Sequence, residues 1–274
     1  METVADLMTP NPLVVNPSTP LATCARVMVR LGLRHLLVVS ETGGLMGVLS
    51  DFSVFSRGGL AGTHGELWIA FNDDDFDKTA GDVEISPVLT AKPDEPLMAA
   101  LHRQMDQRQE LLAVVDDAGV PVGVLTEHDA VRLAEIGVPS SATVASEATA
   151  KVITVDVNQP AWDAARTMRD ADVRHLLVTE GGSLEGVISF RDLITAQIGP
   201  DSRLTVDDVL LRRPIVSVNP TTPLREAARL MAVHKVGCLP VLATDGGIRG
   251  VLTRSDLVGA LVSELEDDAL FPDG

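Results

Sequence analysis

The chain has 274 residues, of which 45% are hydrophobic and 3% aromatic, and its net charge is −17 at pH 7. That length and apolar content can bury two cores of ordinary size. Asp and Glu outnumber Lys and Arg by 39 to 22, which argues against nucleic-acid binding, because that function neutralises phosphates with Lys and Arg. The sequence has no apolar run of bilayer-spanning length and no signal-peptide pattern, so we expect no membrane insertion and a cytoplasmic location.

Four helices are predicted to begin at a proline. These prolines stand at positions 20, 96, 160 and 223, at intervals of 76, 64 and 63 residues. The pattern predicts Thr19 as an N-cap and Pro20 in the first helical turn, and Thr222 and Pro223 repeat it. A short strand is predicted before each proline, and a short apolar middle strand after each helix.

A glycine phrase follows each middle strand. Gly47, Gly123, Gly186 and Gly250 each open a further strand, at intervals of 76, 63 and 64 residues. In three copies the strand ends in Ser or Thr with Asp three residues later, which predicts a capping box at a helix start. The pairs are Thr126 with Asp129, Ser189 with Asp192, and Thr253 with Asp256, whereas Ser50 is followed by Ser53. The chain therefore contains four repeats of strand, helix, strand, hairpin, strand and helix.

Two more features complete the pattern. A proline and two apolar residues open the repeat, as at Pro12-Leu13-Val14, and an Arg-His-Leu-Leu-Val strand recurs at 34–38 and 174–178. With the glycine phrase, these residues resemble the cystathionine-β-synthase (CBS) domain family over nearly the whole chain. The resemblance implies an α/β (α+β) fold of tandem CBS repeats, each a small three-stranded sheet with two helices, paired into two Bateman modules. The implied segments are repeat 1 (1–60), an acidic insertion (61–80), repeat 2 (81–137), repeat 3 (143–199), repeat 4 (204–264) and an acidic tail (265–274).

The Ser/Thr-x-x-Asp phrase has two interpretations. As a capping box it stabilises a helix and nothing more. As a strand end that meets a helix N-terminus, it can bind an anionic ligand. The CBS resemblance implies the second role: the Asp holds the ribose of an adenosine ligand, while the partner repeat supplies its first strand for the adenine and the start of its middle strand near the phosphate.

Three candidate sites follow from that resemblance. The first comprises Thr253, Asp256, Val152, Ile153, Arg174 and His175; the second comprises Thr126, Asp129, Pro12, Leu13, Arg34 and His35. The third is built on Ser189 and Asp192, where Gly237 and Cys238 replace the basic pair. Repeat 1, with Ser53 in place of the Asp, ranks last. Taken alone, His35 and His175 would more often be packed or surface histidines than ligand contacts; their matching positions in alternating repeats make the two interpretations about equal.

The acidic insertion also has alternatives. Its carboxylates offer oxygen ligands to a divalent cation, but they lack the Gly and terminal Glu of a calcium loop, which favours a solvated loop. These acids are Asp73, Asp74, Asp75 and Asp77. The aromatic residues of the insertion would instead suit a docking patch for another chain. They are Trp68, Phe71 and Phe76.

The predicted function is regulatory. No nucleophile motif or phosphate-binding glycine loop is present, and the repeats leave no room for a catalytic domain, so we predict that the protein is not an enzyme. Cys24 and Cys238 are predicted to be core residues, and no metal is expected.

The resemblance predicts a sensor of AMP, ADP or ATP, or of S-adenosylmethionine or a diadenosine polyphosphate, with no obligatory cofactor. The expected partners are a second copy of the chain, bound through the Bateman modules, and an effector protein. A dimerising scaffold without ligand and a divalent-cation sensor are the alternatives.

Overall fold

The computed structural model describes residues 2–55, 78–83, 85–107, 109–196, 198 and 202–270. The acidic and aromatic residues predicted to bind a cation or a partner in the insertion lie outside the described residues, as do the last four residues of the acidic tail.

Repeats 1 and 2 contain the predicted order of elements. Repeat 1 comprises α1 (Val4–Leu7), β1 (Thr9–Pro10), β2 (Val14–Val15), α2 (Leu21–Leu31), β3 (His35–Val39), β4 (Leu45–Ser50) and α3 (Asp51–Phe55). Repeat 2 comprises a 3-10 turn (Ala80–Asp82), β5 (Leu89–Ala91), α4 (Leu97–Asp106), β6 (Leu111–Val115), β7 (Pro121–Thr126) and α5 (Glu127–Gly137). In each sheet the first strand runs parallel to the middle strand and the third antiparallel to it. Strand β1 pairs with β7 and so extends the sheet of repeat 2.

Repeat 3 has all three predicted strands, whereas repeat 4 lacks the first of them. Repeat 3 comprises α6 (Val144–Glu147), β8 (Thr154–Asp156), α7 (Ala161–Asp170), β9 (His175–Glu180), β10 (Ser183–Ser189) and α8 (Phe190–Thr195). Repeat 4 comprises α9 (Val206–Val209), α10 (Leu224–His234), β11 (Cys238–Leu242), β12 (Ile248–Thr253) and α11 (Arg254–Leu270). Repeat 4 has no strand where the sequence predicted its first one, around Ile215 and Val218, so that prediction is wrong. Only Val218 bridges to β11, at Val241, and Ile215 is exposed.

The prolines themselves are the N-caps, so the prediction of Thr19 and Thr222 as N-caps is wrong. Helix α2 begins immediately after Pro20, and its first amide, that of Leu21, donates to the carbonyl of Lys78 at 2.8 Å. The other first helices use the same device, with a carbonyl from a neighbouring repeat in place of a side-chain cap. These pairs are Leu97 with Glu2, Ala161 with Leu204, and Leu224 with Ala142.

A short segment before the first strand of each repeat lies on the partner repeat. These leading segments are residues 3–7, 79–83, 143–147 and 205–209. Backbone bridges join Thr3 to Pro96 and Thr79 to Pro20, so repeats 1 and 2 exchange their leading segments reciprocally. Bridges from Thr143 to Pro223 and from Thr205 to Pro160 do the same for repeats 3 and 4. The exchange defines the pairs 1–2 and 3–4.

The helices join these two pairs through shared cores. One core combines buried residues of repeats 1 and 3, and the other combines those of repeats 2 and 4. Because of the exchange, Val4 of repeat 1 lies in the second core and Val206 of repeat 4 lies in the first. Helix α5 packs against α10 and α11, and α2 contacts α8. The four repeats therefore close a ring in the order 1–2–4–3 within one chain.

The glycine that opens each phrase marks where the partner's backbone crosses the sheet. A Cβ on Gly250 would lie 2.8 Å from the carbonyl oxygen of Thr149, and one on Gly47 would lie 2.5 Å from that of Ser86. Such separations are shorter than van der Waals contact allows. A Cβ on Gly123 or Gly186 would instead approach the side chains of Met8 and Leu210, which can move aside more easily than backbone. At Gly47 and Gly250 the glycine is thus a requirement of pairing between repeats.

Replacing Gly250 with Ala should therefore destabilise the fold. The new methyl group would collide with the backbone of Thr149, which is itself paired with Val251. We expect Gly250→Ala to lower the free energy of unfolding by roughly 1–3 kcal/mol, the usual range for overpacking. Urea unfolding followed by circular dichroism measures it.

Gly44 supplies the matched control, because a Cβ there would lie 3.5 Å from the nearest atom, the Ser40 hydroxyl oxygen. Gly44→Ala should change the stability by less than about 0.5 kcal/mol. Equal effects of the two substitutions would show that the crossing does not require glycine.

Candidate functional site

The three predicted capping boxes are present at the ends of β7, β10 and β12. In each, one carboxylate oxygen, Oδ2, accepts hydrogen bonds from the backbone amide and the hydroxyl of the capping residue, at 2.6–2.9 Å. The Oδ1 of Asp129 accepts only a 3.3 Å bond from the Thr9 hydroxyl. Among the described residues, the Oδ1 atoms of Asp192 and Asp256 accept none. The cap therefore occupies one oxygen of each carboxylate, and the other oxygen is left without a hydrogen bond from the described residues in Asp192 and Asp256.

The same phrase also occurs in the leading segments, where it acts only as a cap. Asp6, Asp82 and Asp208 each accept bonds from the amide and the hydroxyl of a Thr three residues earlier, on exposed turns. A Thr-x-x-Asp box is thus not a site by itself. What separates the boxes at the ends of the strands is their position beside a cavity.

A cavity of about 1650 Å³ lies at the centre of the ring, and all four repeats contribute to its wall. Nine of the predicted site residues line it. They are Pro12, Leu13, Arg34, His35, Thr126, Arg174, His175, Ser189 and Asp192. Asp129 lies behind the wall, 8% exposed, next to Thr9, which does line it. The other predicted residues, Thr253, Asp256, Val152 and Ile153, are not part of this wall.

The cleft headed by Asp192 is more basic than its sequence indicates. Gly237 and Cys238 do stand where repeats 1 and 3 have a basic pair. However, Arg213 and Lys235, on either side of α10, also line the cavity. Apolar side chains of the first segment of repeat 4 complete the wall. These are Pro214, Ile215 and Val216.

Four equivalent positions meet at the centre of the ring. Arg34, Glu110, Arg174 and Gly237 each precede the middle strand of their repeat, as the strand registers show. The Nε of Arg174 donates to Glu110 at 3.0 Å, and Arg34 lies 4.0 Å from the same carboxylate. A Cβ on Gly237 would lie 3.4 Å from the Arg34 guanidinium. Glu110 therefore binds two arginines that come from different pairs of repeats.

Arg174 also binds repeat 1. Its Nη1 donates to Asp51 at 2.5 Å, and its guanidinium lies 4.4 Å from the centre of the Phe52 ring. Asp51 is buried and is the first residue of α3, where Ser53 replaces the expected Asp. The first residue of α3 in repeat 1 is thus bonded to Arg174, which the sequence analysis assigned to the Asp256 site.

The charges around the centre shift the pKa values of nearby groups. Burial, together with Arg34, Arg254 and Arg174, lowers the pKa of His175 to about 3. Burial also lowers the pKa of His35, which lies 3.7 Å from Glu110. Burial raises the pKa of Asp256 above its ordinary value. Both histidines are therefore neutral at pH 7.

Sequence reasoning missed several residues of this wall. Glu110 could have been found by aligning the repeats, since it occupies the position of Arg34 and Arg174. Arg191 and Arg254 stand inside the Ser/Thr-x-x-Asp phrase and donate to the carbonyls of Gly32 and Val236. No local signal marks Asp51, Arg213 or Lys235, because the tertiary structure alone brings them to the cavity.

A family model described as the CBS domain matches residues 4–57, 80–135, 144–199 and 206–263. The chain belongs to the CBS domain family. Its four CBS repeats form two Bateman modules, repeats 1–2 and repeats 3–4. The resemblance in the sequence is therefore confirmed.

Two archaeal proteins and one crystal structure are similar to most of this chain. The protein MJ1404 of Methanocaldococcus jannaschii is 22% identical over 98% of this chain and 64% of its own length. A 33.4 kDa protein in the ribosomal RNA operon of Thermofilum pendens is 25% identical over 91% of this chain and 88% of its own length. The chain thus spans less than two thirds of the first of these relatives. The crystal structure of MJ1225 from Methanocaldococcus jannaschii has a TM-score of 0.80 and 18% identity, covering 94% of this chain and 99% of that one. This similarity concerns the fold.

The described residues contain neither a candidate membrane span nor a candidate metal-binding group. None of the described helices is both long and apolar enough to cross a membrane. Within the same part of the CBS chain, no group of three or more His, Cys, Asp or Glu side chains is arranged to hold a metal ion.

The neutral His175 predicts that stability depends on pH. Its folded pKa of about 3 lies below the unfolded value of about 6.5. Between these values the unfolded chain binds a proton that the folded chain does not. The free energy of unfolding should therefore fall as pH decreases from 6.5, by at most about 1.4 kcal/mol per pH unit for this residue.

Urea unfolding at pH 7.5, 6.5, 5.5 and 4.5 measures the slope, and His175→Asn should make it shallower. The variant keeps part of the slope, because the pKa of His35 is lowered too. An unchanged slope in His175→Asn would contradict the burial of a neutral imidazole.

Proposed function

We propose that this CBS protein is a non-catalytic cytoplasmic regulator that binds an adenosine nucleotide in the central cavity. The main clefts are those headed by Asp192 and Asp129. The observation that carries the proposal is the carboxylate of Asp192, a residue of the cavity wall whose second oxygen takes no part in the cap. A ribose diol has two adjacent hydroxyl donors, which suit such a carboxylate oxygen.

The remaining wall suits the rest of the ligand. In the Asp192 cleft, Ile215 and Val216 offer an apolar surface to a purine, and Lys235 and Arg213 offer charge to a phosphate. In the Asp129 cleft, Pro12 and Leu13 take the first role, while Arg34 and His35 lie at the phosphate end. Leu13 is 44% exposed and is therefore available for such a contact.

The Asp256 site is the weakest of the three in this proposal. Its Asp and strand residues lie away from the central cavity, and Arg174 is bonded to Asp51 and Glu110. The Asp256 site is kept as a candidate for a ligand with little negative charge. Its predicted residues are Thr253, Asp256, Val152, Ile153, Arg174 and His175.

A ligand in these clefts would contact two repeats at once. The ligand would stabilise the arrangement of the repeats that fits it and so shift an existing equilibrium between arrangements.

The proposed partners are a second copy of the chain and an effector protein that binds one arrangement of the repeats. Light scattering at several protein concentrations tests the homodimer. A ligand-free scaffold and a divalent-cation sensor remain the alternatives.

Nucleotide binding should depend on Asp192 and not on helix capping in general. Thermal unfolding with and without AMP, ADP, ATP, S-adenosylmethionine, a diadenosine polyphosphate or Mg²⁺ measures ligand stabilisation. A ligand at about one hundred times its Kd adds about 2.7 kcal/mol. Asp192→Ala should lose most of the nucleotide stabilisation, and Asp192→Ala with Asp129→Ala should abolish it.

Asp82→Ala is the matched control, because it removes the same kind of box from an exposed turn away from the cavity. Each single variant loses about 1 kcal/mol of capping energy, but Asp82→Ala should keep the full ligand response. Stabilisation by Mg²⁺ alone would favour the cation sensor. No response to any ligand would favour the scaffold.

A further inference from the structure

Glu110 is a carboxylate where the equivalent positions of repeats 1 and 3 have arginine. Its Oε1 accepts from Arg174, and its Oε2 lies 4.0 Å from Arg34 and 3.7 Å from the imidazole of His35. The Oε2 atom is buried and takes no hydrogen bond from the described residues. Glu110 thus lies among the cations that the Asp129 cleft would offer to a phosphate.

We propose that Glu110 determines the charge of the ligand: it makes the central cavity select adenosine compounds with little negative charge and reject nucleoside triphosphates. The proposal rests on the proposed function and adds to it the class of ligand.

The first support is the balance of charge in the cavity wall. The described residues that line it include six permanent cations and five carboxylates. The cations are Arg34, Arg174, Arg191, Arg213, Lys235 and Arg254; the carboxylates are Asp51, Glu110, Glu127, Asp192 and Asp208. A site that neutralises a triphosphate needs a clear excess of cations, because burying unpaired charge is costly.

The second support is that several of these cations already have partners. Arg174 is held by Asp51 and Glu110 together, and Arg191 and Arg254 donate to backbone carbonyls. Freeing Arg174 for a phosphate would leave Asp51 as a buried carboxylate without its cation, which is strongly unfavourable. Arg174 is therefore not available to additional phosphates, and Arg191 and Arg254 each have one donor already engaged.

The third support is the ionised state of Glu110. Burial raises the pKa of its carboxyl, but Arg174, His35 and Arg34 outweigh burial and keep the pKa below the ordinary value. A monophosphate carries up to about two negative charges at pH 7, and a triphosphate carries more. Each added phosphate increases the repulsion from Glu110.

Calorimetric titration of the full chain with adenosine, AMP and ATP, in EDTA, tests the selectivity. The wild type should bind AMP at least about tenfold more tightly than ATP. Glu110→Gln keeps the size of the side chain and removes its charge, so it should tighten ATP about tenfold, and AMP less, which reduces the AMP/ATP ratio. Glu110→Asp, which keeps the charge, should keep the preference.

Glu95→Gln is the matched control, because Glu95 is also paired with an arginine, Arg103, but lies outside the cavity. It changes the net charge of the chain equally and should leave the ratio unchanged. Wild-type protein that binds ATP as tightly as AMP, or an unchanged ratio in Glu110→Gln, would overturn the proposal. If Glu110→Gln does not fold, the wild-type ratio and Glu110→Asp decide. Absence of binding by all three ligands would refute the proposed function instead.

Discussion

The exchange of leading segments between paired repeats is the contact on which the rest of the structure depends. The residue just before each leading segment supplies the carbonyl that accepts the first amide of the partner's first helix, as Lys78 does for Leu21. The exchange also places Val4 and Val206 in cores to which their own repeats do not otherwise belong. Pairing between repeats and closure of the cores are therefore one event, and a side chain at Gly250 would disturb both.

Closure of the ring brings equivalent positions of four similar repeats into contact, so small differences between repeats have large consequences at the centre. Four arginines at the positions before the middle strands would repel one another. This chain has two arginines, one glutamate and one glycine there, and the glutamate binds both arginines. Asp51 adds a second carboxylate in repeat 1, where Ser53 replaces the Asp of the Ser/Thr-x-x-Asp phrase. The centre is nearly neutral as a result.

The Thr-x-x-Asp phrase shows how one local structure serves two purposes. In Thr79 and Asp82 it caps an exposed turn, and in Ser189 and Asp192 the same hydrogen bonds are made at the edge of a cavity. The local energetics are alike, because both use one oxygen of the carboxylate. Only the surroundings of Asp192, which lines the cavity, make it a candidate for contact with a ligand.

The sequence by itself determined the number of repeats, their order of elements, the capping boxes and the CBS family, because these depend on spacing and on contacts within a few residues. It failed where the partner repeat supplies the contact, as with the missing cap at Thr19 and the missing strand near Ile215. Only the tertiary structure decided the ring order, the shared cores and the meeting of Arg174 with Asp51. Those residues are 123 positions apart in the chain, and no periodicity in a sequence encodes a contact of that range. The physical reason is that side-chain charges interact through space, whereas the pattern of a repeat records only neighbours along the backbone.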